Sequence, residues 1–91
     1  VDPAALAGGW TRDRIVAEVV AAGVPLLHGS CSEIYREKAF AGTPWQPSQR
    51  LAVAQELGDT SLMFLTHPTI SDNDLDRVCT AITQVLSRAV R

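Results

Sequence analysis

The last third of the chain places the firmest limits on what it can fold into. Residues 60–66, Thr60-Ser61-Leu62-Met63-Phe64-Leu65-Thr66, make an apolar run of strand length. An open sheet face would impose apolar–polar alternation, which is absent here, so the run predicts a strand covered on both sides. His67-Pro68 stops it, since proline has no amide hydrogen for a ladder and holds the residue before it extended. The chain then turns through Pro68-Thr69-Ile70. Ser71 opens a helix: its hydroxyl can accept the amide near Asp74, while Asp72, Asp74 and Asp76 set negative charge against the positive end of the helix dipole. Leu75, Val78, Cys79, Ile82, Val85, Leu86 and Ala89 recur at three- and four-residue steps as one apolar stripe, with Arg88 and Arg91 at the negative end.

What can pack around this stretch is limited by size. A chain of 91 residues, 46% hydrophobic and 20% charged, suits one domain with a small core. A net charge of -2 supplies no basic field for nucleic acid, and no apolar run approaches the roughly 20 residues of a membrane helix. Two cysteines, Cys31 and Cys79, are too few for a disulfide framework, which makes a reducing cytoplasm the expected setting. Val1 opens the chain with no basic-then-apolar signal behind it, the pattern expected of a piece of a longer protein.

From the start, residues 1–9 carry Pro3, Gly8 and Gly9 and read as a linker or trimmed edge without structure of its own, leaving 10–91 as the domain. Thr11 can cap a helix with Ile15, Val16, Val19, Val20 and Ala22 on its apolar face, ended by Gly23. Residues 24–28 predict a short strand, with Pro25 near its start implying an edge position. Gly29 allows a sharp turn. Ser30-Cys31-Ser32-Glu33 has the spacing of a capping box, which predicts a short helix from about Cys31 to Phe40. Pro44 and Pro47 force residues 42–47 into a loop. Ser48 can cap a last short helix through Leu51, Ala52, Ala54 and Leu57, closed by Gly58. The order is helix, strand, helix, loop, helix, strand, helix.

Few residues offer chemistry. His28 and Cys31 flank a predicted helix N-terminus, where the dipole could activate a thiol and histidine could act as base, yet no third residue orients the histidine. Zinc on His28, Cys31, His67 and Cys79 matches no paired ligand spacing, and Cys79 falls on the apolar stripe. Glu33 and Glu37 lie four apart, explained by capping and by solvation. Trp10 and Trp45 read as edge packing or an interface. Lys38, the single lysine, has no apolar surroundings to suit Schiff-base work. The residues by themselves describe a small α+β domain without an active site.

The layout resembles the C-terminal small domain of the DegT/DnrJ/EryC1/StrS family, pyridoxal-phosphate enzymes that mostly aminate nucleotide-linked keto-sugars. The matching residues are Ala21-Ala22-Gly23-Val24, Glu33-Ile34-Tyr35-Arg36-Glu37, the proline-rich loop with its short helix, and above all Leu62-Met63-Phe64-Leu65-Thr66-His67-Pro68-Thr69-Ile70-Ser71-Asp72-Asn73-Asp74-Leu75-Asp76-Arg77-Val78. The similarity runs from about Trp10 to the end. It implies a two-layer α+β domain with a short, mostly antiparallel sheet packed on helices, as in fold-type I aminotransferases. It implies a large domain whose lysine anchors pyridoxal phosphate, a nucleotide-sugar substrate, a homodimeric parent in the cytoplasm, and no cofactor or turnover in this chain alone. Lys38 does not match the cofactor lysine. Family members often carry a histidine-containing turn before the second helix; here the turn reads Gly29-Ser30-Cys31-Ser32, with His28 earlier. In the resembled enzymes that turn faces substrate, so Ser30, Cys31 and Ser32 are expected to border the sugar-nucleotide cleft, flanked by His28 and Tyr35. The compatible alternative is a capping box that only starts a helix. Two other readings are a same-family sugar dehydratase, with histidine in place of the lysine, and a self-contained regulatory or protein-interaction domain.

Overall fold

In the computed structural model, which describes residues Val1–Arg91, the Thr11 hydroxyl accepts the Arg14 amide at 3.1 Å and starts α1, Arg12–Ala21. The helix ends in a closed cap: the Gly23 amide donates to Val20 O (2.9 Å) and the Val24 amide to Val19 O (3.3 Å), with Gly23 at φ +82°. That left-handed conformation favours glycine, as the sequence reading required. Ile15, Val16 and Val19 are buried, whereas Val20 and Ala22, expected on the same face, are exposed. β1, Leu26–Leu27, is shorter than the predicted 24–28, and Pro25 stands just ahead of it.

β1 pairs antiparallel with β2, Met63–Phe64, in the register Leu26↔Phe64 and Leu27↔Met63. The run at 60–66 is thus mostly not strand. The helix before it, α2 (Ala52–Thr60), takes up Thr60, and Met63 and Leu65 are exposed, so β2 is not covered on both faces. Pro68 ends the strand region as expected, and the Ile70 amide closes the turn on His67 O at 3.1 Å. Ser71 caps α3, Asp72–Ala89, by accepting the Asp74 amide at 3.2 Å. On α3 the buried line is Ala81, Val85 and Ala89; Val78, Ile82 and Leu86 pack beside it half-buried. Leu75 and Cys79 point to solvent, correcting the packing role given to that cysteine.

Residues 1–9 are structured, contrary to the linker reading. Pro3–Ala5 forms a 3-10 turn, Leu6 is buried, and Leu6 bridges Val90. The Ala7 amide donates to Ala89 O (2.8 Å) and the Arg91 amide to Ala5 O (3.1 Å), so the two chain ends close on each other. Trp10 packs at the edge of the core under the Arg14 guanidinium, 4.2 Å from its ring centre. The core is therefore Leu6, Ile15, Val16, Val19, Val24, Leu26, Ala81, Val85 and Ala89. It sits between α1, α3 and β1, and together these segments form the body of an α+β fold.

Residues 28–61 form an arm that contributes nothing to that core. The predicted helix from Cys31 to Phe40 is replaced by two 3-10 turns, Ile34–Arg36 and Lys38–Phe40. Residues 42–47 are a loop as expected. α2 starts after Leu51 with no side-chain cap, so Ser48 is not its cap, and Gly58 lies within the helix instead of closing it. A Cβ at Gly58 would stand 2.7 Å from Ser32 Oγ. Glycine is there because the helix approaches the 29–32 turn closely.

Candidate functional site

The turn expected to carry the site is fixed from below. Gly29 has φ +96°, and a Cβ there would meet Ser61 Cβ at 3.0 Å, so the conformation and the close approach both select glycine. Arg12 holds this turn to the approach of β2: its Nη1 donates to His28 O and to Ser61 O, each at 3.0 Å, and its Nε to Asp13 Oδ1 at 2.6 Å. Arg12 follows the Thr11 cap, off the apolar face of α1. Its side chain is only 13% exposed, and it ties two loops together.

The capping box does not form. Glu33 sits at φ -111°, ψ 44° with no bond back to Ser30. Its carboxylate instead accepts Arg50 Nε and Nη2, both at 2.6 Å, and the Tyr35 hydroxyl at 2.8 Å. The Arg50 fork gives the carboxylate two bonds to a full positive charge where the capping box offers one backbone amide, which is the physical reason the predicted helix is lost. The same Arg50 bond, helped by Tyr35 and the nearby positive charge and opposed by partial desolvation, lowers the Glu33 pKa from 4.5 to about 2. The Tyr35 hydroxyl also accepts the Leu51 amide (2.9 Å), so this clamp sets the start of α2.

The five candidate residues are not brought to one point. His28 faces α1, with Nε2 3.6 Å from Asp13 Oδ1. Ser30 and Cys31 are exposed, and Cys31 Sγ lies 3.9 Å from Glu37 Oε1, facing a carboxylate and no helix dipole. Ser32 is half-buried against Gly58, and Tyr35 is held in the clamp. No hydrogen bond joins any two of them. Tyr35 alone lines a cavity, one of about 220 Å³ shared with Arg36, Gln46, Pro47 and Arg50. Arg36, Gln46 and Arg50 were not offered as site residues by the sequence, because no local pattern links Glu33 to Arg50 17 positions later.

A second cavity, of about 290 Å³, lies between the end of β2 and the start of α3. Val24, Pro25, Phe64, Leu65, Ile70 and Val78 form its apolar lining, and its polar lining includes the Asp74–Arg77 pair. No three histidine, cysteine or acidic side chains converge as a metal site would require, so His28, Cys31, His67 and Cys79 are not assembled. Lys38 is exposed on its 3-10 turn and lines neither cavity, so the amine has no enclosure in which to anchor a carbonyl cofactor. No helix is long and apolar enough to cross a membrane.

No protein-family model and no curated protein matches the sequence. Among solved structures, the chain is similar to the aminotransferase from Psychrobacter cryohalolentis, with a TM-score of 0.90 and 46% identity over 96% of this chain. It spans 22% of that protein's length. In fold and in nearly half its residues, then, the chain matches an aminotransferase-like domain.

Proposed function

We propose that this chain is the C-terminal small domain of a pyridoxal-phosphate-dependent aminotransferase of the DegT/DnrJ/EryC1/StrS family, acting in the cytoplasm on a nucleotide-linked keto-sugar. The observation that carries the reading is the 46% identity at a TM-score of 0.90 across nearly the whole chain. The order of motifs from Leu62 to Val78 supports the family. Pyridoxal phosphate, when bound, supplies the electron sink for moving an amino group, and its anchoring lysine belongs to the large domain, since Lys38 lacks the enclosure for it.

This chain's own residues wall one side of the substrate cleft. Ser30, Cys31 and Ser32, with His28 and Tyr35 beside them, border the sugar nucleotide on the exposed rim of the arm, while Arg12 and Gly29 hold the turn in place. Ile34, Trp45, Val53 and Leu57 leave large apolar side chains exposed on the arm. The large domain docks there, and their burial excludes water from the cleft within a homodimeric parent.

The test is to express the full reading frame that contains this chain and assay it with an amino donor and nucleotide-linked keto-sugars. Cofactor absorbance together with an aminated sugar nucleotide is the expected result. Loss of water from the sugar without amination would identify the dehydratase, and absence of both cofactor and turnover would leave a self-contained binding domain.

A further inference from the structure

The 220 Å³ cavity has an unusual balance of unspent hydrogen-bonding groups. The Tyr35 hydroxyl is committed, donating to Glu33 Oε1 and accepting the Leu51 amide. Both Glu33 oxygens are taken by Arg50. Gln46 Oε1 accepts the Gly42 amide at 3.1 Å, which fixes the orientation of its side-chain amide and leaves the NH2 free. Arg50 keeps Nη1 unused. The Arg36 guanidinium makes no hydrogen bond; its Nη1 stands 3.6 Å from Glu33 Oε2, within ion-pair range only. Pro47 offers no amide hydrogen. The side chains lining this cavity thus keep more free donors than free acceptors. Two guanidinium groups line the cavity against the Glu33 carboxylate, with Asp59 a further negative charge acting on Arg50.

We propose that this cavity binds a phosphate-type dianion, whether inorganic phosphate or the phosphoryl group of a larger ligand, through Arg36, Arg50 and the Gln46 amide. Guanidinium forks match phosphate oxygens in pairs, and Arg36 presents a fork with no internal hydrogen bond, held only by its longer ion pair to Glu33. Glu33 is both the support and the competitor of the site. It fixes Arg50 in place while cancelling part of its charge, so binding is modest and weakens as salt rises. Anion binding here does not depend on the aminotransferase reading, and the loss of either leaves the other standing.

The experiment is a calorimetric titration of the protein with inorganic pyrophosphate, orthophosphate and a nucleoside diphosphate, at two chloride concentrations. Arg36→Gln removes the free fork without breaking any hydrogen bond, and affinity should fall about tenfold. Glu33→Gln removes the competing charge and keeps an acceptor for Arg50, so affinity should rise. Opposite signs for these two variants are the signature of the site. Equal binding of orthophosphate and the nucleoside diphosphate would assign it to the free anion; much tighter binding of the nucleotide would assign it to a phosphoryl group on a larger ligand. No saturable heat with any of the three, or an unchanged affinity in Arg36→Gln, overturns the proposal.

Discussion

The body and the arm of this chain are held together in different ways. The body buries nine apolar residues, and its helices turn Ile15, Val16, Val19, Ala81, Val85 and Ala89 inward. The arm, residues 28–61, buries none. Its helix is reversed: in α2 the glycine side packs on Ser32 while Val53 and Leu57 face outward, 69% and 52% exposed. Trp45 is 76% exposed beside it. The dimensions follow from this. The chain extends 48 × 37 × 17 Å with a radius of gyration of 16.2 Å, against about 12 Å for a compact chain of this length. Its 6467 Å² of accessible surface exceeds the roughly 5,200 Å² typical of a monomer of this mass. Where apolar burial is missing, a few directional bonds determine the structure: Glu33 to Arg50, Tyr35 to Leu51, and Arg12 to His28 and Ser61.

Truncating one apolar side chain in each region should separate body from arm most strongly. Ile15 is fully buried in the body, so Ile15→Ala should cost about 2–5 kcal/mol in a denaturant melt. Val53→Ala in the arm should stay within about 0.5 kcal/mol of the parent. Similar costs for both would mean that the arm is buried in solution, by self-association or otherwise, and a concentration series would reveal it.

A smaller effect separates a cap that forms from one that does not. Ser71 accepts the Asp74 amide, and Ser71→Ala should cost about 0.5–2 kcal/mol. Ser30 starts no helix, so Ser30→Ala should cost less than about 0.5 kcal/mol. A loss at Ser30 equal to that at Ser71 would restore the capping box that the 3-10 turns replace.

Smaller still is the contact between Gly58 and Ser32. An interior helix glycine replaced by alanine normally gains about 0.5–1 kcal/mol. Here the new methyl would meet Ser32 Oγ at 2.7 Å, so Gly58→Ala should gain only when combined with Ser32→Ala. The full gain in the single variant would show that the turn yields freely and that the arm lacks even this fixed contact.

The same division separates what could be read in the sequence from what could not. α1 and α3 were legible because a helical stripe, a Thr or Ser cap and a terminal glycine or proline turn are all local signals. The arm was not. Whether residues 31–40 become an α-helix or two 3-10 turns depends on Arg50, 17 positions beyond Glu33 and in no periodic relation to it. Leu6 was passed over because a single apolar residue has no period, and its partner Val90 lies at the other end of the chain. The candidate site inherits the same limit. Gly29 was noticed for its turn and Tyr35 through the family resemblance, but the cavity needs Arg36, Gln46 and Arg50, which come together only through folding.

The subtlest test uses pH to loosen the arm alone. Arg50 first, then Tyr35, hold the Glu33 pKa at about 2 in place of 4.5. A depressed folded pKa stabilises the fold fully above the unfolded value, and that contribution is lost as pH falls from about 4.5 towards about 2. Asp74 is lowered too, mainly by the Ser71 hydroxyl, so the start of α3 also responds to acid, and a body reporter belongs far along the helix, at Val85. In an NMR titration the Leu51 amide, bonded to Tyr35, should shift with a midpoint well below 4.5 while the Val85 methyls hold. Glu33→Gln should abolish the Leu51 titration and leave Val85 as before. A Leu51 midpoint at the ordinary carboxylate value would mean that Arg50 does not hold Glu33 in solution. A single transition shared by Leu51 and Val85, unmoved by Glu33→Gln, would mean that arm and body unfold as one unit despite their different packing.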